Sequence, residues 1–260
     1  MIAALPDPTD DLPPLATYAL RLGDDALVLA HRLGEWIANA PQIEEDIALG
    51  NIGLDLLGQA RSLLSYAGEV EGAGRTEDDL AYLRDERQFR NVQLVEIANG
   101  DFAVTIARQL AFSTYQHGLY EALSDSTDEL LAGVAAKAVK EVDYHRDHAT
   151  QWALRLGDGT EESHRRMQAG VETVWPYVAE LFQSDPLEQE LARMGVGVDT
   201  ATLKPAWDSR LEAVLAEATL SVPVAAWTAH GGRQGIHTEA LGYLLAEMQH
   251  LHRSHPGASW

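Results

Sequence analysis

Glu141, His145 and His148 stand in one short stretch, Lys137 to Trp152, and carboxylates and imidazoles at such spacing can hold a metal or move a proton. At about 100° per residue, Lys137, Glu141, His145 and His148 fall within an arc of roughly 80° on one side of a helix. Val134, Ala138 and Trp152 project in nearly the same direction as His145. The imidazole therefore points into apolar surroundings, either as a core histidine or as a ligand. A bundle that holds two irons takes Glu-x-x-His from two helices and a carboxylate from each of two others. Here the residue three before His145 is Val142, and Glu141 lies four before it. The pattern is incomplete on this helix, so the other helices must decide.

Two true Glu-x-x-His spacings exist, at Glu161–His164 and Glu247–His250. The first opens a helix, where acids serve the dipole. The second lies beside His252 and His255, a cluster able to take adventitious metal. Neither has a second copy on a neighbouring long helix. With no cysteine and no Gly-x-Ser-x-Gly elbow, nucleophilic chemistry has no support. Gly231 to Gly235 lacks the spacing of a phosphate cradle and reads as a loop before the last helix. A buried His145 needs hydrogen-bond partners, and Glu141 one turn away or Gln59 across the core could supply them.

Helical periodicity dominates the chain, and the fold class it predicts is all-α. Residues 15–40 read as one helix, or two joined near Gly23. The segment from Ile43 to Gly68 reads as a second long helix whose apolar residues (Ile47, Ile52, Leu54, Leu56, Leu57, Leu63, Leu64) go most of the way round. That distribution predicts burial on several sides. Asn51, Asp55, Gln59 and Ser62 share the remaining arc, as a solvated stripe or a buried polar network. Residues 73–93 read as a connection with one short helix capped by Thr76 and Asp79. A third long helix follows Asn99-Gly100-Asp101, with His117 toward its exposed end. A Ser126-x-x-Glu129 capping box opens the fourth, which runs to about Leu156. Thr160 caps a further helix in which Pro176 should kink or restart the run. Two shorter pieces and a C-terminal helix complete the chain.

Nineteen basic against forty acidic side chains give a formal charge of −21, which excludes a general nucleic-acid surface. Solubility explains such a charge, and a basic protein partner is the sharper reading. A length of 260 residues with 46% hydrophobic content supports a sizeable core without disulfides or structural metal. The absence of cysteine fits a reducing cytoplasm. Residues 1–14 have no basic region and no long apolar run, and read as an extended leader rather than a secretion signal or membrane span.

The segments EEDIALGNIGLDLLGQARSLLSYAGE, NGDFAVTIARQLAF, AAKAVKEVDYHRDHATQWALRLGDGTEESHRRMQ and GGRQGIHTEALGYLLAEMQHLHRSHPGASW together resemble the C-subunit family of bacterial phenylacetyl-CoA epoxidases. The resemblance covers nearly the whole chain. It implies a ferritin-like four-helix bundle with additional C-terminal helices, in one unit with a leader (1–14), a core bundle (15–156) and additional helices (157–260). It also implies a homologous catalytic subunit that holds a di-iron centre and epoxidises the aromatic ring of phenylacetyl-CoA in phenylacetate catabolism. A small additional subunit and a reductase with FAD, an iron–sulfur cluster and NADPH would complete the assembly, with no cofactor bound by this chain.

Laid on the iron-holding homologue of that family, the ligand positions fall at Ala26, Leu56, Gln59, Ser113, Val142 and His145. Only His145 keeps a ligand's chemistry. One imidazole without carboxylates cannot hold or neutralise two cationic irons in a low-dielectric core. The resemblance thus implies a structural, non-catalytic subunit in which Glu141, His145, Gln59 and Asp55 form a buried polar network. Two rival readings stand beside it. One is an iron-binding oxygenase using His145, Glu141 and Asp55. The other is a helical binding module unrelated to oxygen chemistry.

Overall fold

The computed structural model describes residues 12–258. Residues 1–11 of the expected leader lie outside the described residues. Among the described residues there are ten α-helices and no strand: the all-α fold that the periodicity predicts. Four helices are long: α1 (Pro14–Gly34), α2 (Ile43–Glu71), α5 (Phe102–Leu123) and α6 (Glu129–Gly157). Between α2 and α5 come the short α3 (Glu77–Tyr82) and α4 (Gln93–Glu96). After α6 come α7 (Glu161–Val178), α8 (Pro186–Arg193), α9 (Lys204–Glu217) and α10 (Glu239–Ser254).

Local chemistry sets the helix limits. Glu44, Glu45 and Asp46 occupy the first turn of α2, and Gly72 ends it in the left-handed conformation (φ 74°). Thr76 and Asp79 form a reciprocal capping box on α3. Thr160 caps α7. The fourth long helix starts later than the Ser126 box predicts, because Asp128 accepts from the Leu131 amide at 2.9 Å. The Ser126 hydroxyl donates instead to the Val196 carbonyl. α1 is continuous through Gly23, where a Cβ would come within 2.8 Å of the Leu64 side chain. That glycine is there for the close approach of α1 to α2. Pro176 does not interrupt α7, which runs two residues further and passes into a 3₁₀ turn at Ala179–Phe182.

α1 packs along α2, α5 along α6, and α2 against α6. Side chains joining α2 to α6 run in opposite order: Tyr66 to Asp128, Gln59 to Glu141, Asp55 to His145, Glu45 to His148. The two helices are therefore antiparallel. α5 and α6 are joined by only residues 124–128 and are antiparallel as well. It follows that α2 and α5 run the same way, so residues 72–101 must travel the length of the bundle. One long crossover of this kind is what a ferritin-like bundle requires.

α2 is not buried on several sides. Leu49, Ile52, Leu56, Leu63 and Leu64 enter the core, whereas Ile47 and Leu54 are 59% and 66% exposed. The additional helices pack on the bundle. α7 crosses α5 at Gly170, where a Cβ would meet the Ala103 carbonyl oxygen at 2.8 Å. Trp207 of α9 donates to the Ala111 carbonyl, and Gln249 of α10 donates to the Ala81 and Arg84 carbonyls. No helix among the described residues is long and apolar enough to cross a membrane.

Candidate functional site

Antiparallel packing places one turn of α2 opposite one turn of α6. Asp55 and Gln59, four apart, therefore face His145 and Glu141, four apart. The Gln59 amide donates to Glu141 Oε2 at 3.1 Å, and its carbonyl accepts from Gln116 Nε2 and the Tyr120 hydroxyl, both at 3.2 Å. Lys137 reaches Glu141 at 3.1 Å from the solvent side. His145 Nε2 lies 3.0 Å from Asp55 Oδ2. His145 thus pairs with Asp55 rather than with Glu141 or Gln59, because those two already satisfy each other a turn away. Of the polar arc on α2, Gln59 is buried, Asp55 is half-buried, and Asn51 and Ser62 face outward.

A carboxylate only accepts, so the His145 proton sits on Nε2 and is donated to Asp55. Burial pushes the imidazole below its ordinary value of 6.5, and the Asp55 bond offsets part of this. His145 is neutral at pH 7. His148 of the same arc faces Glu45 at 2.7 Å, and its Nδ1 is buried without a partner.

Ala26, Leu56 and Val142 are fully buried among apolar side chains. The Ser113 hydroxyl donates back to the Gln109 carbonyl at 2.6 Å. The six positions together offer one imidazole, one amide and one hydroxyl, and no carboxylate. Such a donor set does not fit a two-iron centre. Among the described residues, no group of three or more His, Asp or Glu side chains is arranged around a common point for a metal. His164 instead faces the Gly157 carbonyl at 2.7 Å, and His252 stacks on Tyr82. His117 is half-buried between Glu121 and Asp143.

A second polar cluster was not visible as a motif. Arg233, between the left-handed Gly231 and Gly235, forms a paired contact with Asp25 of α1 at 2.8 and 3.0 Å. The Gly232 amide donates to Glu180, which also accepts from the Gln93 amide. His237 Nδ1 lies 2.7 Å from Glu96 and Nε2 lies 3.0 Å from the Phe89 carbonyl. Both ring nitrogens face acceptors, so the ring is an imidazolium. Burial opposes that charge, but Glu96 and Phe89 outweigh it and raise the His237 pKa. The only sequence signal was the Gly-Gly-Arg-Gln-Gly run, whose glycines permit this turn.

The sequence of residues 3–260 matches the family model described as phenylacetic acid catabolic protein. The chain belongs to that family. It is 50% identical over 246 residues to the C subunit of 1,2-phenylacetyl-CoA epoxidase from Escherichia coli (strain K12), covering 95% of this chain and 99% of that relative. In this member of the phenylacetic acid catabolic protein family, the α2–α6 wall is closed by hydrogen bonds between neutral and singly charged side chains.

The two histidines give opposite pH signatures. His145 binds its proton less readily in the folded chain than in the unfolded one. Its contribution is therefore present above about pH 6.5 and is lost as pH falls through its lower folded value. His237 contributes below about 6.5 and loses that contribution as pH rises through its higher folded value. Urea unfolding between pH 5 and 8 should show a flatter acid limb in His145→Gln and a flatter neutral-to-alkaline limb in His237→Gln.

Proposed function

We propose that this chain is the structural, non-catalytic subunit of a multicomponent di-iron monooxygenase that epoxidises the aromatic ring of phenylacetyl-CoA in phenylacetate catabolism, in the cytoplasm. The observation that carries the reading is the near-full-length 50% identity to the C subunit of the Escherichia coli epoxidase. The donor set at Ala26, Leu56, Gln59, Ser113, Val142 and His145 supports the non-catalytic part, since no carboxylate is available there to neutralise iron. In this reading the chain is one ferritin-like unit, with residues 15–156 as the bundle and 157–260 as additional helices. A homologous subunit holds the two irons. A small further subunit and a reductase carrying FAD and an iron–sulfur cluster, fed by NADPH, complete the system. The chain's own work is rigidity: the Gln59–Glu141 and Asp55–His145 contacts fix α2 on α6, and the catalytic bundle leans on the bundle so held.

Coexpression with the ligand-bearing homologue tests this. The expected result is a stable complex with about two irons per pair, all retained by the homologue when the chains are separated. Turnover of phenylacetyl-CoA requires both chains together with the reductase. Stoichiometric di-iron in this chain alone, or turnover by it alone, overturns the reading.

A further inference from the structure

The outer face of α2 carries Ile43, Ile47, Gly50, Leu54 and Leu57 at intervals of four, three, four and three. That is the repeat by which one helix seats its side chains between those of another. Among the described residues nothing covers the stripe: Ile43 is 71% and Leu57 38% exposed. The stripe borders a groove of about 570 Å³ between α1 and α2, floored by Leu27, Ala30 and Gly34.

Gly50 sharpens the point. A glycine inside a helix is less stable than alanine there, because it gives up more backbone freedom on folding. Gly23 repays that cost through its approach to Leu64, but a Cβ built on Gly50 meets nothing within 4 Å. Gly34, across the groove, is equally open. No packing among the described residues uses either position.

The charges around the stripe are of one sign over its first half. Glu44 and Asp46 flank Ile43 and Ile47, and Asp46 is the one carboxylate or cationic side chain lining the groove apart from His31. Burial lowers the pKa of His31, which leaves it neutral. A second copy would set acids against acids between two chains of charge −21. The leading residues 1–11 carry three aspartates and no base, and fit no better.

We infer that the Ile43–Leu57 face of α2 is the docking surface for an amphipathic helix of a different subunit, with a bulky aliphatic side chain opposite Gly50 and lysine or arginine beside its seam. The inference rests on the reading of this chain as a subunit paired with a homologue, and adds where and by what chemistry they meet.

Full-length chain and the ligand-bearing homologue are mixed, and binding is measured by calorimetry and light scattering for wild type, Gly50→Ala, Gly50→Gln, Leu54→Glu and, elsewhere on the surface, Arg210→Glu. All should fold, with Gly50→Ala and Gly50→Gln melting no lower than wild type. Leu54→Glu and Gly50→Gln should weaken the complex by about 30-fold or more, the scale of a buried interface anchor. Arg210→Glu should bind as wild type, and added salt should weaken the wild-type complex. Equal binding by Leu54→Glu and wild type overturns the inference while leaving the subunit reading intact. So does a wild-type homodimer that Leu54→Glu dissolves. Absence of any wild-type complex sinks the parent reading, and this one with it.

Discussion

Asp24→Ala should lower the unfolding free energy by about 3–5 kcal/mol, the cost of stranding a buried charge. Asp24 of α1 is fully buried, and Arg84, just beyond α3, is 2% exposed. The carboxylate accepts two bonds from the Arg84 guanidinium, one of them at 2.9 Å, and a third from the Arg90 amide at 2.8 Å. Arg84 also donates to the Leu80 and Gln88 carbonyls and lies over the Phe89 ring at 4.2 Å. Removing the carboxylate leaves a guanidinium with no counter-charge and no route to water. For a chain of this size the melting temperature should fall by about 10 °C. The exposed pair Lys204–Asp208 is the control, and Asp208→Ala should cost less than about 1 kcal/mol. The double variant Asp24→Leu, Arg84→Met should recover much of the loss, because it removes both charges together. Thermal and denaturant unfolding of the four proteins checks the ordering. A loss at Asp24 no larger than at Asp208 would show that the pair is not buried.

Leu56→Glu should be at least as damaging. Leu56 is fully buried one turn before Ala60 and beside the Gln59 network, with apolar core around it. A carboxylate placed there is cut off from water in the hydrophobic core, so it holds its proton to a much higher pH than a solvated glutamate. The variant should lose about 4 kcal/mol or more at pH 7, and should regain part of this at pH 5, where the side chain is neutral. Ferrous iron should not rescue it, since His145 is engaged with Asp55 and neighbouring Val142 brings no second carboxylate. Chemical unfolding at both pH values, with and without iron, measures this. Rescue by iron would contradict the donor chemistry described for the wall.

The helix limits were legible where a cap is local. Thr76 with Asp79, Thr160 and the Gly157–Gly159 stop all act within a few residues, so spacing alone reveals them. Ser126 misled because Asp128, two residues on, competes for the same first turn and wins with a charged acceptor. The polar wall was half legible. The wheel placed Gln59, Asp55, Glu141 and His145 on facing arcs, but which pairs form depends on the register between α2 and α6, and no local signal sets that. The exposed stripe of α2 was illegible for a different reason. A leucine covered by its own chain and one waiting for another chain have the same hydrophobicity, so only the packed bundle separates Leu56 from Leu54. Arg233 and His237 lay beyond reach because their partners Asp25 and Glu96 are 208 and 141 residues away.

That separation bears on how the molecule is made. The acid Asp25 on the first helix stays without its arginine until residue 233 has emerged from the ribosome, after the whole bundle has been synthesised. Until then Asp25 accepts from the Val92 amide of the crossover but lacks the guanidinium that neutralises it, which makes its burial costly. The segment from Gly231 to Thr238 is therefore a latch that the nascent chain sets late, and shortening the chain by its final thirty residues should leave a bundle that collapses yet stays open to proteases at α1.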